Sequence, residues 1–432
     1  MDWDLADALA YLDAHVNLEA VSARRVDAPT LDRMRQLMDV MAEPQRQYPV
    51  MHLTGTNGKT STARMLGALV RTKGLAVGTY TSPHLERVNE RLAWNDEPIS
   101  DGALAEVVAG IAALEPLLDD RPSFFEILTA AAYRWFADIA IDVAVVEVGL
   151  GGQWDATNVA DGSVAVVTNV GIDHIEYLGP TRDGIAREKS GIVKPGSTLI
   201  LGETDPALVP IFEATPAERI WLRDRDFGVE ANRLAVGGRL LDLRTPGTRY
   251  EEVFLPLHGA HQGDNAAAAL AAAEAFFDGP IEEDVVAEAF ASVRSPGRME
   301  VVGRQPLCIL DGAHNVAGAR ALAETLAEEF PGSASRVLVV GLLGGRDPDE
   351  MLEALEPDNV RLVVACPPPS PRALPAAAVV AAAERAGIPA VEAGSVEEAV
   401  DRAVDLAEPD DLVLVTGSLY VVGAARTALL SR

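Results

Sequence analysis

Residues 50–70 read VMHLTGTNGKTSTARMLGALV. A short apolar strand pattern (50–54) runs into GTNGKT (55–60), which directly precedes an amphipathic helical segment. Small residues let backbone amides turn toward a phosphate, a helix N-terminus adds a favourable dipole, and Lys59 supplies a formal positive charge. Strand, loop and helix together make a P-loop. Leu53 stands where the first glycine of the general GxxxxGK pattern would be, yet the rest of the arrangement is in place.

Outward from this loop the strand–turn–helix text repeats, through LAVGTYT, a helix over 123–140, IDVAVVEVG and SVAVVTNVG. Short β-branched runs alternating with longer helical ones predict an α/β fold with a mostly parallel sheet. The first 45 or so residues read as two amphipathic helices, with Leu5, Ala8, Leu9 and Leu12 on one face and Leu31, Met34, Leu37 and Met38 on another. Between Leu222 and Leu257 short alternating pieces with Gly and Arg turns predict hairpins at a sheet edge, and two alanine-rich helices begin near Asp264 and Ile281. Arg294-Ser-Pro-Gly-Arg298 breaks regular structure just before a second β-α series, so the chain is expected to divide into residues 1–296, a P-loop domain with N-terminal helices, and 297–432, a smaller Rossmann-like doubly wound domain.

Composition narrows the function. Of 432 residues 48% are hydrophobic and 23% charged, which is globular composition, and no apolar run reaches the ~18 residues of a membrane span. The acidic N-terminus is unlike a secretory signal, so a cytoplasmic location is expected. Thirty-six Lys+Arg against 65 Asp+Glu leave a net charge of −29, which repels nucleic acid and anionic lipid and argues against either as a partner. Cys308 and Cys366 sit in no metal-binding spacing and read as core residues. The only four lysines are Lys59, Lys73, Lys189 and Lys194; none follows an asparagine, so the guanine-reading NKxD motif is missing and ATP is the expected nucleotide.

Phosphoryl transfer from ATP needs Mg²⁺, which prefers oxygen ligands. Glu147 ends an apolar strand at the carboxyl edge of the sheet, where a carboxylate is costly unless paired or bound to a cation. TNVGIDH (168–174) brings Asp173 and His174 to the same edge; alone, that histidine reads equally well as a hydrogen-bonded loop residue. Ser82 in TSPHL (81–85) would alone be a turn residue before proline.

The ordered set GTNGKT, TSPHL, EVGLGG, DATN, TNVGIDH, REKSGI, SPGRME and DGAHN resembles the Mur-type ATP-dependent amide ligases, most closely folylpolyglutamate synthase/dihydrofolate synthase, over nearly the whole chain. The resemblance implies that ATP phosphorylates the carboxylate of a folate or of dihydropteroate, and that the amine of L-glutamate attacks the acyl phosphate. A carboxylate is a poor electrophile until its oxygen becomes a good leaving group.

Carried onto this sequence, the resemblance makes Gly55, Thr56, Asn57, Gly58, Lys59 and Thr60 the triphosphate cradle. It makes Ser82, Glu147 and His174 ligands of a first Mg²⁺, with Thr60 beside them. Lys189 corresponds to a lysine that family members carbamylate to help position a second metal, which requires a neutral amine and so a pKa lowered by burial. Asn265 implies a nucleotide contact, Arg298 a γ-phosphate contact, and Asp311 and His314 contacts made on closure of the second domain. Taken as a lone residue, Asp311 also fits a helix N-cap, and Lys189 a solvated helix end. Arg91 is a candidate substrate contact, and the family is expected to be monomeric.

Two departures are visible: Thr60 replaces the glycine usual after the P-loop lysine, and Val316 the proline usual after DGAHN. A cell-wall Mur ligase would need a UDP-binding domain before the P-loop, and only 54 residues precede Gly55. A non-catalytic ATP-binding module would not need the strand-end ligands.

Overall fold

The computed structural model describes residues 3–17, 30–332 and 335–431. The main sheet has eight strands: β1 (Val50–Thr54), β2 (Val77–Tyr80), β3 (Leu92–Trp94), β4 (Glu97–Pro98), β5 (Val143–Glu147), β6 (Gly162–Val167), β7 (Thr198–Leu201) and β8 (Arg219–Leu222). Their spatial order is β4-β3-β2-β5-β1-β6-β7-β8. The neighbours in β2-β5-β1-β6-β7-β8 all pair parallel, and only the β2–β3 and β3–β4 pairs at one edge are antiparallel. β1 and β5 are buried along their whole length, which is why β5 reads as an apolar run up to Glu147 rather than as an alternating strand.

Helices Lys59–Thr72, His261–Phe277 and Glu283–Ser292 cover one face of this sheet. Asp101–Leu114, Phe124–Asp138 and the two N-terminal helices, Leu5–Asp13 and Asp32–Val40, cover the other, with the expected Ala8, Leu12, Met34, Leu37 and Met38 in the core. Phe124–Asp138 starts with a reciprocal cap: Ser123 accepts from the Glu126 amide and Glu126 accepts from the Ser123 amide.

The 222–257 region differs from its expected place. After β8 joins the main sheet, β9 (Gly228–Ala235), β10 (Gly238–Arg244) and β11 (Arg249–Leu255) form a separate three-stranded antiparallel sheet. Leu241, Leu243, Tyr250 and Val253 share an apolar core with the helices 261–277 and 283–292, so the hairpins cover those helices and do not extend the main sheet. A local turn signal specifies a hairpin; it does not specify which surface the hairpin covers.

A second sheet follows the segment 293–299, with β12 (Glu300–Arg304), β13 (Leu307–Leu310), β14 (Arg336–Val340), β15 (Val360–Ala365), β16 (Ala390–Glu392) and β17 (Leu412–Thr416) in the order β12-β13-β17-β14-β15-β16. All neighbours are parallel except the antiparallel β12–β13 pair. Helices on both faces bury two apolar layers, giving the expected doubly wound α/β lobe. Cys308 and Cys366 are both buried in its core. Among the described residues no helix is long and apolar enough to cross a membrane.

Candidate active site

The P-loop sits at the carboxyl end of β1, and its glycines are there for space. A Cβ on Gly55 would fall 1.8 Å from Thr168 Oγ1; one on Gly58, where φ is +85°, would fall 2.4 Å from Asn265 Oδ1. The loop is held from the end of β6. Thr168 Oγ1 donates to the Asn57 carbonyl at 2.7 Å, the Asn57 amide donates to Asn169 Oδ1 at 3.0 Å, and Asn169 Nδ2 donates back to the Asn57 carbonyl at 3.0 Å. Thr56 is held in the same way, its hydroxyl accepting from the Gly171 amide at 2.8 Å. Lys59 Nζ donates to the Gly55 carbonyl at 2.9 Å, so the ammonium lies folded over the loop.

Sheet alternation explains Glu147. Val143, Val145 and Glu147 share one side of β5, and that side faces helix Lys59–Thr72. Thr60 lies in the first turn of that helix, and its Oγ1 sits 3.0 Å from both Glu147 oxygens; the Ser82 amide approaches at 3.4 Å. The carboxylate is 1% exposed and no ion pair reaches it among the described residues. Burial raises its pKa, with Lys59, the Thr60 hydroxyl and the Ser82 amide opposing.

His174 lies at the same edge as the start of a one-turn helix, Ile175–Leu178, at φ +50°. Burial lowers its pKa although Asp173 pulls the other way. Among the described residues no group of three or more His, Cys, Asp or Glu is placed so that it could by itself hold a metal ion. One buried carboxylate with hydroxyl neighbours nonetheless fits Mg²⁺, which keeps several waters and takes its remaining oxygens from substrate phosphates. A carboxylate already desolvated and lacking a cation partner suits such a guest.

Lys189 ends helix Arg182–Ser190 and is 3% exposed, so it is not a solvated helix-end lysine. Burial, helped by the charge of Lys59, brings its pKa down to about 7. Its backbone is packed against the EVGLGG loop: a Cβ on Gly152 would meet the Lys189 Cα at 3.0 Å.

The second lobe closes the opposite wall. Asp311 accepts from the amides of Met299 and Ala313 at 2.9 and 2.8 Å, and burial raises its pKa. It is not the helix cap: Asn315 caps Val316–Glu329 by accepting from the Gly318 amide. Asp311 lies four residues before that cap, still on the loop that leads into the helix. His314 Nδ1 lies 2.9 Å from the Gly312 carbonyl, and burial takes its pKa down to about 4. Arg298 lines the same cleft, close enough to Gly312 that a Cβ there would lie 2.8 Å from its guanidinium.

Every expected nucleotide or metal residue therefore lines one cavity of about 550 Å³: the P-loop, Ser82, Glu147, His174, Lys189, Asn265, Arg298, Asp311 and His314. Arg91 does not. It is buried beside the Phe124 ring at 5.4 Å, its Nε donating to His84 Nδ1 at 2.9 Å, away from the cavity wall. Arg91 is expected from the sequence as a substrate contact; its side chain turns inward. Sequence reasoning missed Thr168 and Asn169, which hold the P-loop; a polar pair at the end of an apolar strand was the available signal. It also missed Arg346, which donates to Asp173 at 2.7 Å across a separation of 173 residues that carries no local signal.

Comparison with known proteins agrees with this geometry. The sequence matches the Mur ligase middle domain family over residues 125–273 and the Mur ligase, glutamate ligase domain family over 297–419. It is 42% identical over 442 aligned positions to the dihydrofolate synthase/folylpolyglutamate synthase of Mycobacterium tuberculosis, covering 93% of this chain and 90% of that one. The solved structure of Mycobacterium tuberculosis folylpolyglutamate synthase complexed with ADP and AMPPCP superposes with a TM-score of 0.91 at 41% identity, covering 98% of both chains. A bifunctional folylpolyglutamate synthase/dihydrofolate synthase with Mn, AMPPNP and L-glutamate bound gives a TM-score of 0.85 at 29% identity, covering 99% of this chain and 98% of that one. The chain belongs to the folylpolyglutamate synthase/dihydrofolate synthase family of Mur ligases and is an ATP-dependent ligase.

Proposed function

We propose that this chain joins L-glutamate to the carboxylate of a folate, of dihydropteroate, or of both, through an acyl phosphate, releasing ADP and phosphate. The observation that carries the reading is the convergence of Lys59, Glu147, Lys189, Arg298 and His314 on one cleft between two lobes. In this reading the lobes divide at 296/297, and the P-loop amides and Lys59 hold the triphosphate. The substrate carboxylate oxygen attacks the γ-phosphorus and the bond to the β–γ bridging oxygen breaks. The glutamate amine then attacks the acyl carbon, losing a proton as phosphate leaves. Lys59 and Arg298 offset the charge that spreads over the transferring group.

Glu147, Ser82, Thr60 and His174 would hold Mg²⁺, which supplies Lewis-acid polarisation of the γ-phosphate. A lowered pKa leaves a neutral Lys189 amine available near pH 7; its nitrogen would bond to the carbon of CO₂ and release a proton, giving the carbamate that serves a second metal. Asn265, Asp311 and His314 act as nucleotide contacts that complete the site on closure. The cleft draws on both lobes of one chain, and the reading takes the chain to work as a cytoplasmic monomer.

Phosphate release from ATP tests the reading. Turnover should require L-glutamate together with a reduced folate or dihydropteroate; turnover indifferent to both would refute it.

A further inference from the structure

Asp173 stands between His174 and the second lobe. It is 7% exposed, and its four contacts divide in two. From its own lobe, Oδ1 accepts from the His174 amide at 2.8 Å. From the other lobe, Oδ1 accepts from an Arg346 nitrogen at 2.7 Å, Oδ2 accepts from Asn315 Nδ2 at 3.0 Å, and His314 Nε2 lies 3.7 Å from Oδ2. Asn315 is itself fixed, since its Oδ1 caps the helix Val316–Glu329 and its Nδ2 also reaches Asn57 Oδ1 in the P-loop at 3.2 Å. Arg346 makes no other ion pair among the described residues.

His174 adopts φ +50°, a left-handed conformation that is strained for a non-glycine residue. Such a conformation persists only where surrounding contacts over-determine it. Here the neighbouring backbone is pinned by the Asp173 carboxylate, and that carboxylate is pinned in turn by the second lobe. Glu147 sits on a central strand and needs no such help, whereas His174 rides on a loop and a single helical turn.

We propose that Arg346 is a positioning residue for His174: by clamping Asp173 it lets the docked second lobe set the geometry of the divalent-cation site. The inference rests on reading His174 as a metal ligand. Arg346 touches neither metal nor substrate in this scheme, and Asp173 is occupied as an acceptor rather than as a ligand. Coupling of this kind is reciprocal, so a cation bound at His174 also favours the docked lobe.

The test is Mn²⁺ affinity, measured by electron paramagnetic resonance of the full chain saturated with a non-hydrolysable ATP analogue. Arg346→Ala should weaken Mn²⁺ binding by about tenfold, within the usual range of coupling between sites. Arg346→Lys, which keeps the charge on Asp173, should recover most of that loss. Arg239→Gln removes an interlobe ion pair remote from the cleft, to Glu328 and Glu329, and should leave Mn²⁺ affinity within twofold. Unchanged affinity in Arg346→Ala, or an equal loss in Arg239→Gln, would overturn the proposal. His174→Ala separates the two layers: wild-type Mn²⁺ affinity in that variant would refute the ligand reading itself. Thermal melting of each variant reports whether it is folded.

Discussion

Thr60 Oγ1 lies 3.0 Å from both oxygens of Glu147, joining the first turn of the P-loop helix to the end of a central strand. A hydroxyl has one proton, so it donates to one carboxylate oxygen at a time and its lone pairs stay open to a cation. The usual family glycine at this position could not make this contact. Thr60→Ala should therefore raise the Mg²⁺ concentration needed for half-maximal turnover several-fold, and Thr60→Ser should restore it. A Mg²⁺ titration that gives the same curve for Thr60→Ala as for wild type would remove Thr60 from the cation site.

Lys59→Ala should reduce ATP-dependent ligation by roughly 100- to 1,000-fold, the usual effect of losing one preorganised charge-stabilising donor. The fold should be retained, since Lys59 Nζ contacts only carbonyls of its own loop. Steady-state turnover with circular dichroism as the fold control checks both halves.

At Gly58 two separate penalties coincide, a φ of +85° and the 2.4 Å approach to Asn265 Oδ1. Gly58→Ala should weaken ATP-analogue binding and lower the melting temperature. Adding Asn265→Ala relieves the clash but not the backbone strain, so the double variant should recover part of the stability lost. Full recovery would mean the backbone cost is absent.

Lys189 makes stability depend on pH in a direction that can be worked out. Its folded pKa of about 7 lies below the usual 10.5, so between those values the unfolded chain binds more protons than the folded one. The buried lysine therefore costs stability, fully below pH 7 and progressively less as pH rises toward 10.5. Lys189→Met should gain on wild type by a few kcal/mol at pH 6–7, with the gap narrowing by pH 10. Urea unfolding at a series of pH values measures it, and a pH-independent gap would place the amine in an ordinary aqueous environment. Lys189→Ala should be inactive and partly rescued by added short carboxylic acids standing in for the carbamate; activity without rescue would end that role.

Gly423 offers a prediction whose sign opposes helix propensity. Replacing an interior helical glycine with alanine ordinarily stabilises by up to about 1 kcal/mol. Here a Cβ would fall 2.0 Å from the Leu85 carbonyl oxygen of the first lobe, on a loop that also sends Glu86 to Arg426 at 2.6 Å. Gly423→Ala should lower the melting temperature instead of raising it, because the two lobes can no longer seat.

The sequence by itself determined the α/β class, the P-loop, the two amphipathic N-terminal helices and the list of polar residues at strand ends. Each of these is a local consequence of side-chain periodicity or of a turn that only small residues can make. Tertiary structure alone decided which of those residues meet. Arg91 and Lys189 are both buried basic side chains, yet one turns into the core beside Phe124 and the other into the cleft, and nothing adjacent in the chain distinguishes them. The Asp311 carboxylate secures the start of the second lobe while Asn315 caps the helix, a division set by where the loop bends. Arg346 reaches Asp173 only because two separately folded sheets dock. Periodicity encodes which face of an element is apolar; it carries no record of what a polar side chain will touch across a lobe interface, since that contact is fixed by packing of distant surfaces.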